Sequence, residues 1–304
     1  MSSDNSSDPR ELLCGNDLKR AVYQLAESIR DRSAARQSGA NTFFENAVSR
    51  TLQHLLQLDQ TRSWEEGVEP IEGDAGRLIR VALNWLREHV TYRDNSRYVS
   101  FQDRLRAYAG GAPARQVDPW YFCMSQGVHD CMQWKGMPLF KTVFDSNIYS
   151  NLIFELQPKT IFEIGSGSGA SAIWMGDLLE SYALPAKIYS MDLTPPTLIH
   201  PSVEFVFGDS RKIEAAFDAG CLADAAHPWL LIEDAHVNVV GVLDFFHPHL
   251  ARDDYVIVED SAEKRDELLR FFEQKDGLYE VDTHYTDFFG RNVTCAVDSI
   301  FVRR

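Results

Sequence analysis

The string Glu163-Ile164-Gly165-Ser166-Gly167-Ser168-Gly169-Ala170 sets glycines at alternate positions behind a short apolar run. Glycines at that spacing let the chain turn tightly and bring its backbone against a ligand. A helix opening behind the loop offers free N–H groups and a partial positive charge. Glu163, two residues before the first glycine, suits a ligand with a cationic amino-acid end and repels a pyrophosphate. Further acids close later apolar runs: Asp192, then Asp209 in Phe207-Gly208-Asp209, Glu233-Asp234-Ala235-His236 and Glu259-Asp260. If the last two runs are neighbouring strands, ~4.8 Å apart, their carboxylates crowd one rim. Like charges that close raise one another's pKa or recruit a cation. A hard divalent ion such as Mg²⁺, taking oxygen ligands, is the economical partner. Alternatively, Asp234 and Asp260 cap the following helices and hold no metal. His236 stands beside these acids with an ordinary pKa near working pH, which suits a general base on an acceptor hydroxyl. His247 and His249, in His-Pro-His, fit capping of helix carbonyls.

The elements that position these residues alternate between strand and helix. Strands are predicted at 160–165, 187–192, 203–209, 229–234 and 255–260, with two more near 279–284 and 298–302. Helices are predicted near 170–183, 211–219, 237–247 and 263–274. This alternation implies a parallel sheet with helices on both faces. Ligands then bind at the carboxyl ends of the strands, where the strand order reverses. Gly165-x-Gly167-x-x-Ala170 formally fits the dinucleotide fingerprint, with Asp192 as the ribose acid. The whole string also fits the E-x-G-x-G-x-G motif of class I methyltransferases, which bind S-adenosylmethionine. Glu163, Phe207-Gly208-Asp209 and the acid pairs after the fourth and fifth strands favour the second reading. The fold expected is α/β, a Rossmann-like class I methyltransferase sheet of seven mostly parallel strands with helices on both faces. The expected cofactor contacts are Glu163, Gly165, Ser166, Gly167, Gly169, Ser171, Asp192, Leu193, Gly208, Asp209, Ser210 and Asp234. Asp192 is assigned to the ribose, Asp209 to the adenine, and Glu163 to the methionine end or an ordered water.

An N-terminal helical region precedes this domain. Residues 1–10 read as a polar disordered tail. Residues 11–135 carry amphipathic helices around Leu18–Ile29, from Thr42 to Leu56, and over about 76–90, suited to oligomerisation. Residues 94–135 are broken by Gly110, Gly111, Pro113 and Pro119. The aromatic string between Trp120 and Trp134 suits a substrate lid, with Trp120, Tyr121, His129 and Trp134 as candidate acceptor contacts. Cys123, His129 and Cys131 fit no standard zinc spacing. The methyltransferase domain is assigned to 136–304.

The chain has 304 residues, 30 basic against 45 acidic, for a net charge of −15. So acidic a chain repels a phosphate backbone, which excludes nucleic acid as a partner. Its five scattered cysteines are no disulfide framework and favour a reducing, cytoplasmic setting. The polar start is no secretory signal, and no run is long enough to span a membrane. The expected partners are a small-molecule substrate and a second copy of the chain, a dimer through the N-terminal helices.

Several strings resemble one family. From Trp134 onward the chain is similar to the cephalosporin hydroxylase and rhamnosyl O-methyltransferase family. The points of contact are Trp134-Lys-Gly136-Met-Pro138, Phe144-Asp145, Tyr149 and Leu156-Gln-Pro158. They continue with Ile232-Glu233-Asp234-Ala235-His236, Val256-Ile257-Val258-Glu259-Asp260-Ser261 and Phe289-Gly290-Arg-Asn292-Val-Thr294. The chain departs from the family pattern at Ala170, where the family writes glycine, and at Glu233, often an aspartate. The resemblance implies a class I methyltransferase fold, S-adenosylmethionine, and Mg²⁺ on Asp234, Glu259 and Asp260. It also implies methyl transfer to a natural-product or sugar-like acceptor. With the residues read above, the simplest reaction is O-methylation of a hydroxyl or carboxylate, with His236 and Asp234 as catalytic groups. The alternatives are a metal-independent N- or C-methyltransferase, a nicotinamide-dependent oxidoreductase, and a non-catalytic binding module.

Overall fold

The computed structural model of the chain describes residues 97–106, 115–275 and 277–304. The polar tail and the amphipathic helices expected around Leu18, Thr42 and Leu78 lie outside the described residues. Ten strands and eight α-helices follow along those described: β1 (Tyr98–Ser100), α1 (Phe101–Arg106), α2 (Pro119–Met124), β2 (Gln133–Trp134), β3 (Met137–Pro138), α3 (Val143–Leu156), β4 (Thr160–Ile164), α4 (Ala170–Ser181), β5 (Lys187–Asp192), β6 (Val203–Phe207), α5 (Ala219–Asp224), β7 (Trp229–Glu233), α6 (Val239–Phe246), β8 (Tyr255–Val258), α7 (Arg265–Glu273), β9 (Tyr279–Asp282), α8 (Thr283–Thr286) and β10 (Ile300–Arg303).

Five strands, β6-β5-β4-β7-β8, run parallel in the centre of the main sheet. On the β8 side the order continues β10-β9-β1, each strand antiparallel to its neighbour. The sheet therefore has eight strands rather than the seven expected. The extra edge strand, β1, has only three residues, too short for an alternating pattern to register. Strands β4 and β7 are buried along their whole length. That burial explains their unbroken apolar runs, because both faces are covered. Successive side chains point to opposite faces. Ile161, Leu230 and Ile257 pack with Leu152, Ile153, Met175 and Leu179 of α3 and α4. Phe162, Leu231 and Val256 pack with Leu243, Phe246, Leu268 and Phe271 of α6 and α7.

Two local expectations need correction. The helix expected over 211–219 is a 3₁₀ stretch, Ser210–Ala215, followed by the separate helix α5. Asp218 caps α5, accepting the Cys221 N–H at 2.7 Å, so the chain restarts there. The boundary expected at residue 136 also shifts. Tyr98–Ser100 pairs with β9, and Phe101 packs in the core beside Phe272 and Phe301. This stretch belongs to the sheet unit, not to a separate N-terminal module.

Helix α3, unmarked in the strand and helix pattern, begins at a side-chain cap. Thr142 Oγ1 accepts the Asp145 N–H at 3.0 Å. It ends at Gln157, in left-handed geometry, with Pro158 behind it. The start of the helix brings Lys141, Thr142 and Asp145 to the cleft, with Lys141 bonded at the ends of β7 and β8. Strands β4 and β7 flank the point where strand order reverses, and the cleft opens there.

Candidate active site

The chain leaves β4 through the glycine loop. Gly165 N–H donates to the Met191 carbonyl at 2.8 Å, and Asp234 N–H donates to the Ile164 carbonyl at 2.8 Å. These bonds draw the ends of β5, β4 and β7 together. At Gly165, φ is +108°, and an added Cβ would lie 2.7 Å from the backbone carbonyl of Asp234. Only glycine fits so close to a neighbouring chain. At Gly167, φ is +50° and an added Cβ would meet nothing within 4 Å, so this turn of the loop faces open space.

That space is a cleft of about 550 Å³ lined by the loop, the ends of β5, β6, β7 and β8, and the start of α3. Of the expected cofactor contacts, Gly165, Ser166, Gly167, Ser171, Asp192, Leu193, Gly208, Asp209, Ser210 and Asp234 line it. Asp192 is held by the backbone, accepting Gly167 N–H and Thr194 N–H, each at 3.0 Å. Asp209 accepts the Arg211 guanidinium at 2.8 Å, which holds its carboxyl below the usual range.

Glu163 and Gly169 do not line the cleft. Glu163 is 1% exposed beneath the loop and accepts the Ser171 hydroxyl at 2.6 Å and the Ser190 hydroxyl. Burial raises its pKa. Through those two serines it braces the loop from below. Gly169 packs against Pro196, Phe205 and Leu198.

The acid rim divides into two groups. Asp234 Oδ1 and Asp260 Oδ2 lie 3.4 and 3.6 Å from His236 Nε2. These three side chains offer one ligand atom each within a 4.8 Å span, a donor set that fits a single cation. His236 and Asp260 both have positive φ, +58° and +46°, and both are exposed. Glu259, expected beside Asp234 and Asp260 as a ligand, lines the cleft with them but is buried and bonded to Lys141 Nζ and the Tyr149 hydroxyl. Burial favours its protonated form, but the Lys141 charge outweighs this and holds the carboxyl below its ordinary value. Asp234 moves the other way, pushed well up by burial and then by the Glu259 charge. Glu233 lies outside the cleft, on Lys264 at 2.8 Å.

The expected acceptor contacts are not brought to the cleft. Trp120, Tyr121 and His129 are exposed away from it, and Trp134 Nε1 donates to Asp177 at 2.6 Å. Asp177 also holds Lys135 at 2.7 Å and lies 3.4 Å from His200. That cluster anchors the β2–β3 hairpin to α4. The hairpin turns the aromatic string outward, and from residues 115–142 only Gln126, Pro138, Phe140, Lys141 and Thr142 line the cleft. Sequence reading overlooked Lys141, Gln126 and Arg211. The one signal for Lys141 was a cation inside the apolar string Pro-Leu-Phe-Lys-Thr-Val-Phe.

A doubly wound sheet in this order, with a glycine loop after its central strand and acids on the next strand ends, defines the class I methyltransferase fold. The solved apo-structure of CmcI-N160 shares it, with a TM-score of 0.50 at 20% identity over 66% of this chain and 94% of that one. The family description Rhamnosyl O-methyltransferase/CmcI matches residues 126–277, and the chain belongs to that family. The rhamnosyl O-methyltransferase of Mycobacterium tuberculosis (strain ATCC 25618 / H37Rv) is 28% identical over 200 residues, 62% of this chain and 80% of the relative. That of Mycobacterium leprae (strain TN) is 26% identical over 157 residues, 49% and 67% of the two chains. The chain is thus a methyltransferase dependent on S-adenosylmethionine, and the nicotinamide oxidoreductase alternative falls away.

Proposed function

We propose that the chain transfers a methyl group from S-adenosylmethionine to a hydroxyl oxygen of a small sugar-like or natural-product acceptor, assisted by Mg²⁺. The observation carrying this reading is the single cleft in which the open glycine loop, Asp192 and the Asp234–His236–Asp260 group meet. When bound, S-adenosylmethionine supplies an electrophilic methyl carbon, and Mg²⁺ on the Asp234 and Asp260 carboxylates would supply a charge that lowers the acceptor hydroxyl's pKa, leaving His236 free to take a proton.

The protein's own residues supply alignment. Asp192, fixed by two backbone N–H groups, presents its remaining acceptor capacity to the ribose hydroxyls. Gly208, Asp209 and Ser210 border the adenine end, and Leu193 covers it. The acceptor oxygen forms the new bond to the methyl carbon as the carbon–sulfur bond breaks, and that electron pair stays on sulfur. The acceptor proton passes to His236 Nε2, or to water where the cation alone suffices. Phe140 and Val237, exposed at the cleft's rim, present apolar surface to the acceptor.

The test is transfer of labelled methyl to hydroxyl acceptors with added Mg²⁺ and with chelator. Chelation should abolish turnover, and Asp260→Asn should remove the response to Mg²⁺. Full turnover in chelator by the wild type would refute metal assistance.

A further inference from the structure

Most neutral polar side chains that line the cleft are already spent on the protein. Thr142 Oγ1 donates to the Asp145 carboxylate and accepts the Asp145 N–H. Ser168 Oγ donates to the Pro138 carbonyl at 2.7 Å, and Ser171 Oγ to Glu163 at 2.6 Å. Ser166 Oγ pairs with Ser190 Oγ at 2.6 Å. Gln126 differs. It is half-buried in the cleft wall, and its carboxamide has no hydrogen-bond partner among the described residues.

The backbone that carries this amide is fixed. Gln126 N–H donates to the Cys123 carbonyl at 3.1 Å, and the Gln126 carbonyl accepts the Met132 N–H at 2.7 Å. Just before it, Phe122 of α2 stacks on Phe144 of α3, with centroids 6.0 Å apart. The Met132 carbonyl in turn accepts the Leu139 N–H at 2.7 Å, which ties Gln126 to the segment leading into Phe140 and Lys141. Lys141 lies 3.2 Å from Asp234. Gln126 therefore belongs to the wall that reaches the Asp234–His236–Asp260 group, not to the ends of β5 and β6 that carry Asp192 and Asp209. We infer that Gln126 is a specificity-determining residue that binds a second hydroxyl of the acceptor, one that is not itself methylated. The inference rests on the hydroxyl-methylation reading above and narrows its acceptor class to polyhydroxylated molecules. A carboxamide offers both a donor N–H and an acceptor oxygen, so it pairs with a hydroxyl in either sense. In the open cleft water satisfies both. An acceptor that displaces this water must supply a hydroxyl or leave the amide unpaired, and one lacking that hydroxyl is rejected.

The experiment is transfer of labelled methyl from S-adenosylmethionine to the methyl glycosides of rhamnose, glucose and mannose, then to each monodeoxy analogue of the best of them. The wild type should lose about tenfold or more in kcat/KM on one analogue that still carries the methylated hydroxyl. Gln126→Ala should turn over that analogue and its parent with nearly equal kcat/KM. Gln126→Met, which fills the space without a hydrogen bond, should behave like Gln126→Ala. S-adenosylhomocysteine affinity by calorimetry should be the same in all three chains, which a general loss of structure would not allow. A wild type indifferent to every such deoxy change would overturn the inference, as would a Gln126→Ala chain that keeps the tenfold loss. Recovery of the discrimination by Gln126→Met, or weakened S-adenosylhomocysteine binding by either variant, would overturn it by assigning Gln126 a packing role. Transfer to none of the glycosides by the wild type would count against the hydroxyl-methylation reading itself and overturn the inference with it.

Discussion

At the scale of single residues, the glycine loop carries the most information per position. Gly165 sits where φ is +108° and the Asp234 backbone leaves no room for a Cβ. Gly165→Ala should therefore cost about 1–3 kcal/mol in urea denaturation. It should also impair S-adenosylhomocysteine binding, because the clash moves the strand end bearing Asp234. The loop was legible in the sequence because the need for glycine is local. The protein partners of Glu163 and Glu259 were not. Glu163 was read for the methionine end or an ordered water and Glu259 for a cation, and both are buried and bonded to protein groups, Ser171 and Ser190 in one case, Lys141 and Tyr149 in the other. Sequence spacing fixes where an acid lies along a strand. It does not say which distant side chain reaches it first, and Lys141 is 118 residues from Glu259.

At the scale of elements, the parallel strands were legible to within a few residues, since burial on both faces leaves an unbroken apolar run. The short edge strand β1 and the hairpin β2–β3 were not, because two or three residues carry no period. Helix α3 was missed although Thr142 and Asp145 mark its start. Thr142→Ala should lower stability by about 1 kcal/mol by urea denaturation, with Thr142→Ser close to wild type. The hairpin depends on Asp177. Burial would raise its pKa, but Lys135 and Trp134 outweigh that and hold it below the ordinary aspartate value of 3.8. A carboxyl lowered in the folded state stabilises above its unfolded pKa and loses that contribution as pH falls through the lower folded value. Asp177→Asn should thus be less stable than the wild type at neutral pH. Melts across an acid series should show the difference shrinking below about pH 3.8. A gap constant down to the most acid point would contradict the ion-pair account.

At the scale of the whole molecule, the chain places its chemistry where the sheet changes direction. Strands β5 and β6 on one side of β4, and β7 and β8 on the other, bring Asp192, Asp209, Asp234 and Asp260 around one cleft. Of the strand order only the neighbourhood of β7 and β8 was legible, but the rule that ligands bind at strand carboxyl ends located the cleft without the rest. The acceptor side was the least legible, because its shape depends on how residues 115–142 wrap back, and the hairpin turned the aromatic string outward. The central claim is that this cleft is built for a sulfonium nucleoside held by Asp192. Calorimetric titration of S-adenosylhomocysteine into the wild type and Asp192→Ala tests it most directly. The wild type should bind saturably, and the variant should bind roughly 10- to 100-fold more weakly, as expected for losing charge-assisted hydrogen bonds. No binding by the wild type, or equal affinity in the two, would contradict it.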